Sequence, residues 1–374
     1  MKLLFVVASL GVGGAERHTV DLARALASRG HECAIVSMRA RSADGLNVSA
    51  AERFTVSYCD AQGFLDRRAA RALAARMAIV APDVIIGVNQ FALMYAHFAR
   101  NLGKHVCRVA TFFHTTDLHS TKDRLLNQAY KYFFARSDLL VFVCEYQARY
   151  WKGRGLHARQ DAVLHNGIDA QHYMPDITGA RSVTRQRYAI DESDFVIGIT
   201  AAFRPEKNHV FLLRALQRLR VSGAKVKLLM VGDGPLRASL EHDAEELGIA
   251  KHAIFVGAQS DVRPFVAAFD VFTLASLKIE TFSLAALEAM AMGIPAVLSD
   301  VGGAREMVQS GNNGFVYAAN DMEGFLGDIH QIMKSDTARV MGQAAHQLVN
   351  ERFTHDRMVD GYAKVLSSLL PTAV

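Results

Sequence analysis

The apolar residues of this 374-residue chain form short continuous runs that alternate with amphipathic segments. Residues 3–8 make a nearly uninterrupted run, which is typical of a strand buried on both faces of a sheet. A glycine-rich turn at 11–14, an amphipathic helix at 16–27 and a second apolar run at 33–37 follow. This order predicts the opening of a doubly wound parallel α/β sheet.

The same alternation continues, stops and starts again. Further strands are predicted at 84–88, 105–112, 139–144, 194–200, 225–231, 254–257 and 271–275. Residues 169–189 lack periodicity and contain a proline and a glycine, as a linker would. The pattern therefore predicts two domains, 1–168 and 190–355, with a helix at 356–370 after them.

The strand at 271–275 leads into a helix predicted at 283–292. Phe282, Ser283 and Leu284 stand where this helix opens. The first turn of a helix has N–H groups without intrahelical partners and the positive end of the helix dipole, so it suits a phosphate. The stretch therefore predicts an anion site at the start of this helix.

Two carboxylates, Glu280 and Glu288, stand eight residues apart around this helix start. Either one could be an ordinary solvated surface charge. However, Glu288 lies among apolar residues inside the helix. A buried unpaired carboxylate is costly, so Glu288 is expected to have a partner. Beside an anion site, two carboxylate acceptors suit the hydroxyl groups of a sugar.

Three more polar residues are placed by the predicted strands. His114 follows the strand at 105–112, a position where a histidine is often structural. Arg204 and Lys207 follow the strand at 194–200 with a proline between them. Two cations in one loop suit a diphosphate, which otherwise needs a metal ion. The alternative for this pair is a solvated charge cluster.

The glycine turn at 11–14 also tests the hypothesis of dinucleotide binding. The pattern Gly-x-Gly-x-x-Gly requires a glycine where Glu16 stands. The acidic residue expected at the end of the second strand is missing, and Met38 and Arg39 occupy that place. An NAD-dependent oxidoreductase is therefore disfavoured.

The net charge of +5 is distributed unevenly along the chain. Residues 1–168 carry 22 Lys and Arg against 13 Asp and Glu, and the remainder carries 20 against 24. A basic first half suggests an acidic partner or a membrane surface, although an ordinary solvated surface gives the same pattern. Arg67, Arg68, Arg71 and Arg76 lie near apolar positions, as in an interfacial helix.

The cysteine content and the hydropathy of the chain indicate the cellular compartment in which the protein works. The four cysteines form no Cys-x-x-Cys pair, which favours reduced thiols over disulfides or a zinc site. No apolar stretch reaches 18 residues, so no transmembrane helix is predicted. The first apolar run is short and leads directly into the glycine turn, which favours a strand over a signal peptide. We expect a cytoplasmic protein, placed peripherally at the inner face of the membrane.

The segment around the two carboxylates resembles the signature of glycosyltransferase family 4. Glu280, seven residues, Glu288 and the run Ala-Met-Ala-Met-Gly-Ile-Pro-Ala-Val carry the resemblance. Val-Gly-Gly-Ala-Arg-Glu at 301–306 and Gly-x-x-Gly-Phe at 311–315 match the same family. The chain departs from the frequent Glu-Gly-Phe-Gly of the family, since it has a threonine and a serine at the two glycine positions.

This resemblance implies the GT-B fold, an α/β architecture of two Rossmann-like doubly wound domains facing across a cleft. It implies that domain 1–168 binds the acceptor and that domain 190–355 binds the nucleotide sugar. It also implies that the helix at 356–370 packs back on the first domain.

The family further implies roles for the candidate residues. Those implied to bind the donor nucleotide are Gly14, Arg204, Lys207, Phe282, Ser283, Leu284 and Glu288. Those implied to be catalytic are Glu280, His114, Arg204 and Lys207. In these roles Glu288 would bind the ribose, Glu280 would accept hydrogen bonds from the sugar, and His114 would position the sugar or the acceptor hydroxyl.

The implied activity is retaining, metal-independent hexosyl transfer from a UDP-sugar or GDP-sugar, with no cofactor and no nucleic acid partner. The implied acceptor is a glycan or lipid-linked, as in the synthesis of cell-surface polysaccharide or lipopolysaccharide. The chain contains no Asp-x-Asp, which argues against the metal-binding glycosyltransferases of the other major fold. The alternatives are a nucleotide-sugar epimerase or hydrolase on the same scaffold and a non-catalytic nucleotide-sugar-binding protein.

Overall fold

The computed structural model describes residues 1–11, 13–41, 45–46, 48, 52–115, 121–175, 179–278, 280–334 and 336–371, without the side chains of 121–127. The chain divides into two compact units. The first comprises Met1–His165 and Met358–Val374, and the second comprises Asn166–Arg357.

The first unit contains a seven-stranded parallel sheet of order β3-β2-β1-β4-β5-β6-β7. Its strands are β1 Lys2–Val7, β2 Glu32–Ser37, β3 Thr55–Tyr58, β4 Val84–Val88, β5 Arg108–Phe113, β6 Leu139–Phe142 and β7 Gln160–Val163. Its helices in this part of the chain are α1 Gly14–Ser28, α2 Arg67–Val80, α3 Asn89–Gly103, α4 Thr121–Phe134 and α5 Glu145–Lys152.

The helices of the first unit cover both faces of its sheet. Side chains of α2, α3, α4 and α5 pack with alternate strand residues such as Leu4 and Val6. Side chains of α1 pack with the intervening residues Leu3, Phe5 and Val7 on the other face. Because both faces are covered, the central strands are apolar throughout, which explains the uninterrupted runs in the sequence.

The second unit contains a six-stranded parallel sheet of order β10-β9-β8-β11-β12-β13. Its strands are β8 Phe195–Thr200, β9 Val226–Val231, β10 Ala253–Gly257, β11 Val271–Leu274, β12 Ala296–Ser299 and β13 Gly314–Tyr317. Its helices are α6 Ala180–Arg187, a 3-10 turn Pro205–Lys207, α7 His209–Val221, α8 Arg237–Glu246, α9 Arg263–Val266, α10 Leu284–Ala291, α11 Ala304–Met307, α12 Met322–Ile332 and α13 Thr337–Arg352.

The last helix, α14 His355–Ser367, lies where a helix was predicted at 356–370. From Met358 onwards the chain belongs to the first unit. Val359, Tyr362 and Leu366 are fully buried and extend the core that contains α1.

The two parallel sheets with their helices make up two Rossmann-like doubly wound α/β units, which confirms the predicted fold class.

The structure differs from the predicted linker at 169–189. Residues 176–178 lie outside the described part, but the rest belongs to the second unit and includes α6. Arg185 of α6 is 1% exposed and donates to the carboxylate of Asp270 (2.8 Å) and to the carbonyl oxygens of Asp191 and Asp194 (3.1 Å each). This helix buries a polar residue that is paired within the unit, so apolar periodicity could not reveal it.

Candidate functional site

The strand order of the second sheet reverses beside β8. The chain leaves β8 for β9 on one side, and β11 pairs with β8 on the other. In such sheets the crevice beyond the carboxyl ends of the two strands is the usual ligand site. Arg204 and Lys207 lie in the loop after β8, and Glu280 lies in the loop after β11.

Lys207 and Glu280 form an ion pair across this crevice. The Lys207 Nζ atom is 2.6 Å from Glu280 Oε2, and the side chains are 22% and 17% exposed. The hydroxyl of Ser276 also donates to Glu280 Oε2 at 3.4 Å. Two residues that the sequence assigned separate roles thus form one charged unit, in which the ammonium group keeps further N–H donors for a ligand.

Arg204 lies at the other end of the same turn. The backbone N–H of Lys207 donates to the Arg204 carbonyl at 3.1 Å, which closes the 3-10 turn between them. Arg204 is exposed and forms no ion pair with any residue that the structure describes. The turn therefore presents two cations, one paired with a carboxylate and one available to an anion.

The helix start predicted at 283–292 is the start of α10. Ser283 is the N-cap, and its hydroxyl accepts a hydrogen bond from the Ala286 N–H at 3.2 Å. Phe282 is 4% exposed, and its ring lies 5.4 Å from that of Phe353. Leu284 is the first residue of the helix. The N–H groups of this first turn point out of the helix end and suit an anion.

The loop that carries Glu280 is held by two glycines after β12. The Gly303 N–H donates to the Thr281 carbonyl at 2.8 Å. A Cβ on Gly302, where φ is +62°, would lie 1.9 Å from the Glu280 carbonyl oxygen. Thr281 and Ser283 have no positive φ, so the loop accepts side chains at positions where the family often has glycine.

Glu288 has the partner that its apolar surroundings predicted. The Tyr173 hydroxyl donates a hydrogen bond to the Glu288 carboxylate. Burial and this carboxylate together raise the pKa of the Tyr173 phenol. Tyr173 lies in the stretch predicted to be a linker, and sequence reasoning missed it because aperiodic residues gave no signal there.

In the first unit, the strand order reverses between β1 and β4. Gly14 is the exposed first residue of α1, after β1, and Val12, two residues earlier, lies outside the described residues. Asn89 begins α3 after β4 with φ +62°, and its Oδ1 accepts from the His114 N–H at 2.8 Å. Sequence reasoning missed Asn89, which fixes the backbone of His114.

The His114 imidazole is packed against a second histidine. Its ring centroid lies 4.8 Å from that of His18, and His18 lies 5.4 Å from Tyr362. Burial lowers the pKa of His114 to about 4. The imidazole is therefore neutral near pH 7 and can donate or accept one hydrogen bond. With so low a pKa it is a weak base and suits positioning better than proton abstraction.

The sequence matches two family models in tandem. The model described as Glycosyltransferase Family 4 matches residues 12–172, and the model described as Glycosyl transferases group 1 matches residues 180–348. Together the two matches extend over most of the chain. The described helices include none long and apolar enough to cross a membrane.

Relatives and solved structures agree with these matches. N-acetyl-alpha-D-glucosaminyl L-malate synthase of Bacillus anthracis is 28% identical over 307 residues, 80% of this chain and 79% of that protein. The GDP-mannose-dependent alpha-(1-6)-phosphatidylinositol monomannoside mannosyltransferase of Mycolicibacterium smegmatis is 32% identical over 196 residues, half of each chain.

The crystal structure of Anabaena HepE in complex with UDP has the same fold. It superposes with a TM-score of 0.85 and 22% identity, over 98% of this chain and all of that chain. The fold is thus GT-B. With both family models matched in order along its two Rossmann-like units, the chain belongs to the family 4 glycosyltransferases.

Proposed function

We propose that this protein is a retaining glycosyltransferase that moves a hexosyl group from a UDP-sugar or GDP-sugar to a glycan or lipid-linked acceptor. The reaction would need no metal ion or cofactor and would serve cell-surface polysaccharide synthesis. The observation that carries the proposal is the grouping of Arg204, Lys207 and Glu280 at the strand-order reversal of the second unit. Two cations and an acceptor at this place suit a sugar diphosphate.

In this proposal the second unit binds the donor. Arg204 and Lys207 neutralise the diphosphate, together with the N–H groups at the start of α10. Glu280, held by Lys207 and Ser276, accepts hydrogen bonds from the sugar hydroxyls. Glu288, held by Tyr173, accepts hydrogen bonds from the ribose.

The first unit supplies the remaining residues. Gly14 exposes backbone at the start of α1, which lets the donor diphosphate approach closely. The neutral His114 positions the sugar or the acceptor hydroxyl. The bond from the anomeric carbon to the phosphate oxygen breaks while the acceptor oxygen bonds to that carbon on the same face. The departing phosphate takes the acceptor proton, and a nucleoside diphosphate leaves.

The names of the relatives support this substrate class without selecting one donor. One relative is named for its dependence on GDP-mannose and for a phosphatidylinositol mannoside acceptor. The HepE structure holds UDP. We therefore keep both bases, and we place the protein in the cytoplasm at the inner face of the membrane, where lipid-linked acceptors are accessible.

The test is release of nucleoside diphosphate from a panel of UDP-sugars and GDP-sugars, with and without a crude lipid-linked glycan fraction as acceptor. Release that depends on the acceptor, persists in EDTA and yields an α-linked product from an α-linked donor supports the proposal. Free sugar or an epimerised donor without acceptor would favour the epimerase or hydrolase. Tight donor binding without turnover would favour a binding protein.

A further inference from the structure

A groove of about 500 Å³ lies between α2 and α3 in the first unit, and none of the candidate site residues lines it. Its volume is in the range of small-molecule sites. The residues that line it are Leu65, Asp66, Arg67, Ala70, Arg71, Tyr95, Phe98, Asn101 and Leu102.

The walls of the groove are largely hydrocarbon. Ala70 and Tyr95 are buried, and the small side chain of Ala70 leaves room beside α3. The Tyr95 hydroxyl is already engaged, since it accepts from the Asp66 N–H at 2.8 Å and donates to the Phe64 carbonyl at 3.3 Å. Leu65 and Leu102 line the groove while 63% and 56% exposed. Exposed apolar residues grouped around a groove indicate an apolar ligand.

The same groove carries two cations that the fold does not need. Arg67 and Arg71 are exposed, lie one helical turn apart and repel each other. Arg67 is the first residue of α2, where the helix dipole disfavours positive charge. In the described part of the chain neither arginine forms an ion pair, and the nearby Asp66 carboxylate caps the helix by accepting from the Arg68 and Ala69 N–H groups. Two guanidinium groups at this spacing suit a phosphate.

We propose that this groove binds a single anionic phospholipid, with one acyl chain along the apolar walls and the phosphate between Arg67 and Arg71. The inference rests on the proposed action at a membrane and adds a stoichiometric lipid site to it. General attraction to a charged surface would need only the arginines. The apolar groove beside them is what selects a lipid chain.

The test is calorimetric titration of the full chain with dihexanoyl phosphatidylglycerol below its micelle concentration. Glycerophosphoglycerol, which has the same singly charged phosphodiester without the acyl chains, serves as the parallel titrant. We expect one saturable site for the lipid and binding at least tenfold weaker for glycerophosphoglycerol. Equal affinity for the two titrants, or no saturable site, would overturn the proposal.

Variants locate the site, and each has a matched control on α2. Ala70→Phe fills the groove, and the exposed pair Leu65→Ser with Leu102→Ser removes its rim without entering the core. Both should weaken lipid binding about tenfold, whereas Ile79→Ser, at a residue 75% exposed outside the groove, should not. Equal losses in the rim variant and in Ile79→Ser would assign binding to the whole surface and refute the groove.

Two further experiments test which arginine binds the phosphate and which class of lipid occupies the groove. Arg71→Glu should weaken binding about tenfold and Arg76→Glu should not, since only Arg71 lines the groove. If a short polyprenyl phosphate saturates the site and the phospholipid does not, the occupant is an acceptor lipid and the phospholipid assignment is wrong. The titration contains no nucleotide sugar, so the two proposals are tested separately. Absence of lipid binding would contradict the lipid site and leave the proposed glycosyl transfer untouched. Lipid binding by a protein that shows no transferase activity would contradict only the proposed transfer.

Discussion

Lys207 and Glu280 are 73 residues apart in the chain and 2.6 Å apart in space. A partly buried ion pair of this kind adds little to stability, because desolvation of both groups offsets most of their attraction. The ion pair lies near Arg204 in the loops after β8 and β11, the two strands that flank the reversal of strand order. This position is better explained by ligand binding than by stability. The pair also sets the orientation of Glu280 before any donor binds.

Replacement of either cation should reduce turnover far more than stability. In Arg204→Ala and Lys207→Ala we expect the activation barrier to rise by about 2–4 kcal/mol, because each cation faces charge that grows on the leaving diphosphate. Initial-rate kinetics with saturating donor measure the effect. Arg214→Ala, at an exposed cation on α7 of the same unit, is the control and should be neutral. Near-wild-type turnover in both variants would remove the diphosphate assignment.

The Tyr173 hydroxyl should matter for donor binding alone. Tyr173→Phe leaves the ring and removes the hydrogen bond to Glu288, which would otherwise hold the carboxylate toward the ribose. The ribose changes little during reaction, so we expect donor KM to rise about tenfold with kcat unchanged, as for Glu288→Gln. Glu280→Gln should instead lower kcat.

Kinetics with donor concentration varied separate these variants. Tyr188→Phe, at a half-buried tyrosine of the same unit, is the matched control. If Tyr173→Phe lowers kcat, or if Glu280→Gln changes only KM, the division of roles between ribose and sugar is wrong.

At the scale of elements, the loop after β11 depends on the turn after β12. Gly302 approaches the Glu280 carbonyl so closely that no side chain fits between them. This contact explains physically why the motif at 301–306 accompanies the two carboxylates in the sequence. The two glycines therefore position the backbone of Glu280, the residue proposed to bind the sugar.

Gly302→Ala should therefore reduce stability and turnover together. Strain at a positive φ should cost about 1–3 kcal/mol in the free energy of unfolding, and displacement of Glu280 should lower kcat further. Gly311→Ala is the matched control, because φ is +84° there and a Cβ would meet nothing within 4 Å. Thermal unfolding and kcat are measured for both. Equal loss of kcat in the two variants would contradict the bracing role of Gly302.

At the scale of the whole molecule, the basic first half of the chain should determine membrane binding. We expect the protein to sediment with anionic vesicles at low salt and not with neutral vesicles, because the attraction is electrostatic. High salt should release it, because ions screen surface charge. Glu substitution of Arg67, Arg68, Arg71 and Arg76 together should abolish sedimentation.

The control for this experiment is charge reversal of four exposed cations in the second unit, namely Arg214, Lys225, Lys251 and Lys334. Loss of sedimentation in both sets would mean that net charge alone drives binding. A protein that stays in the supernatant with anionic vesicles at low salt would point to a soluble acceptor.

The sequence alone determined the two parallel α/β units. Strands that are buried on both faces appear in the sequence as uninterrupted apolar runs. Glycine turns and helix starts follow within a few residues, so the strand–turn–helix pattern can be recognised from short stretches of sequence. The pattern did not predict β3, β7, β12 or β13. The residues of β3 and β7 are half-exposed and their apolar runs are weak, and β12 and β13 are only four residues long. The cations after β8 and the carboxylates around α10 were also visible, since their spacing in the chain is fixed.

Only the tertiary structure decided which of these residues act together. Lys207 with Glu280, Tyr173 with Glu288, Gly302 under the Glu280 loop, and His18 with His114 are contacts between residues far apart in the chain. No local pattern records such a pairing, because it arises when parallel strands bring their carboxyl ends to one edge of a sheet. For the same reason the sequence did not predict α6, since the carboxylate that binds Arg185 belongs to Asp270, 85 residues further along the chain.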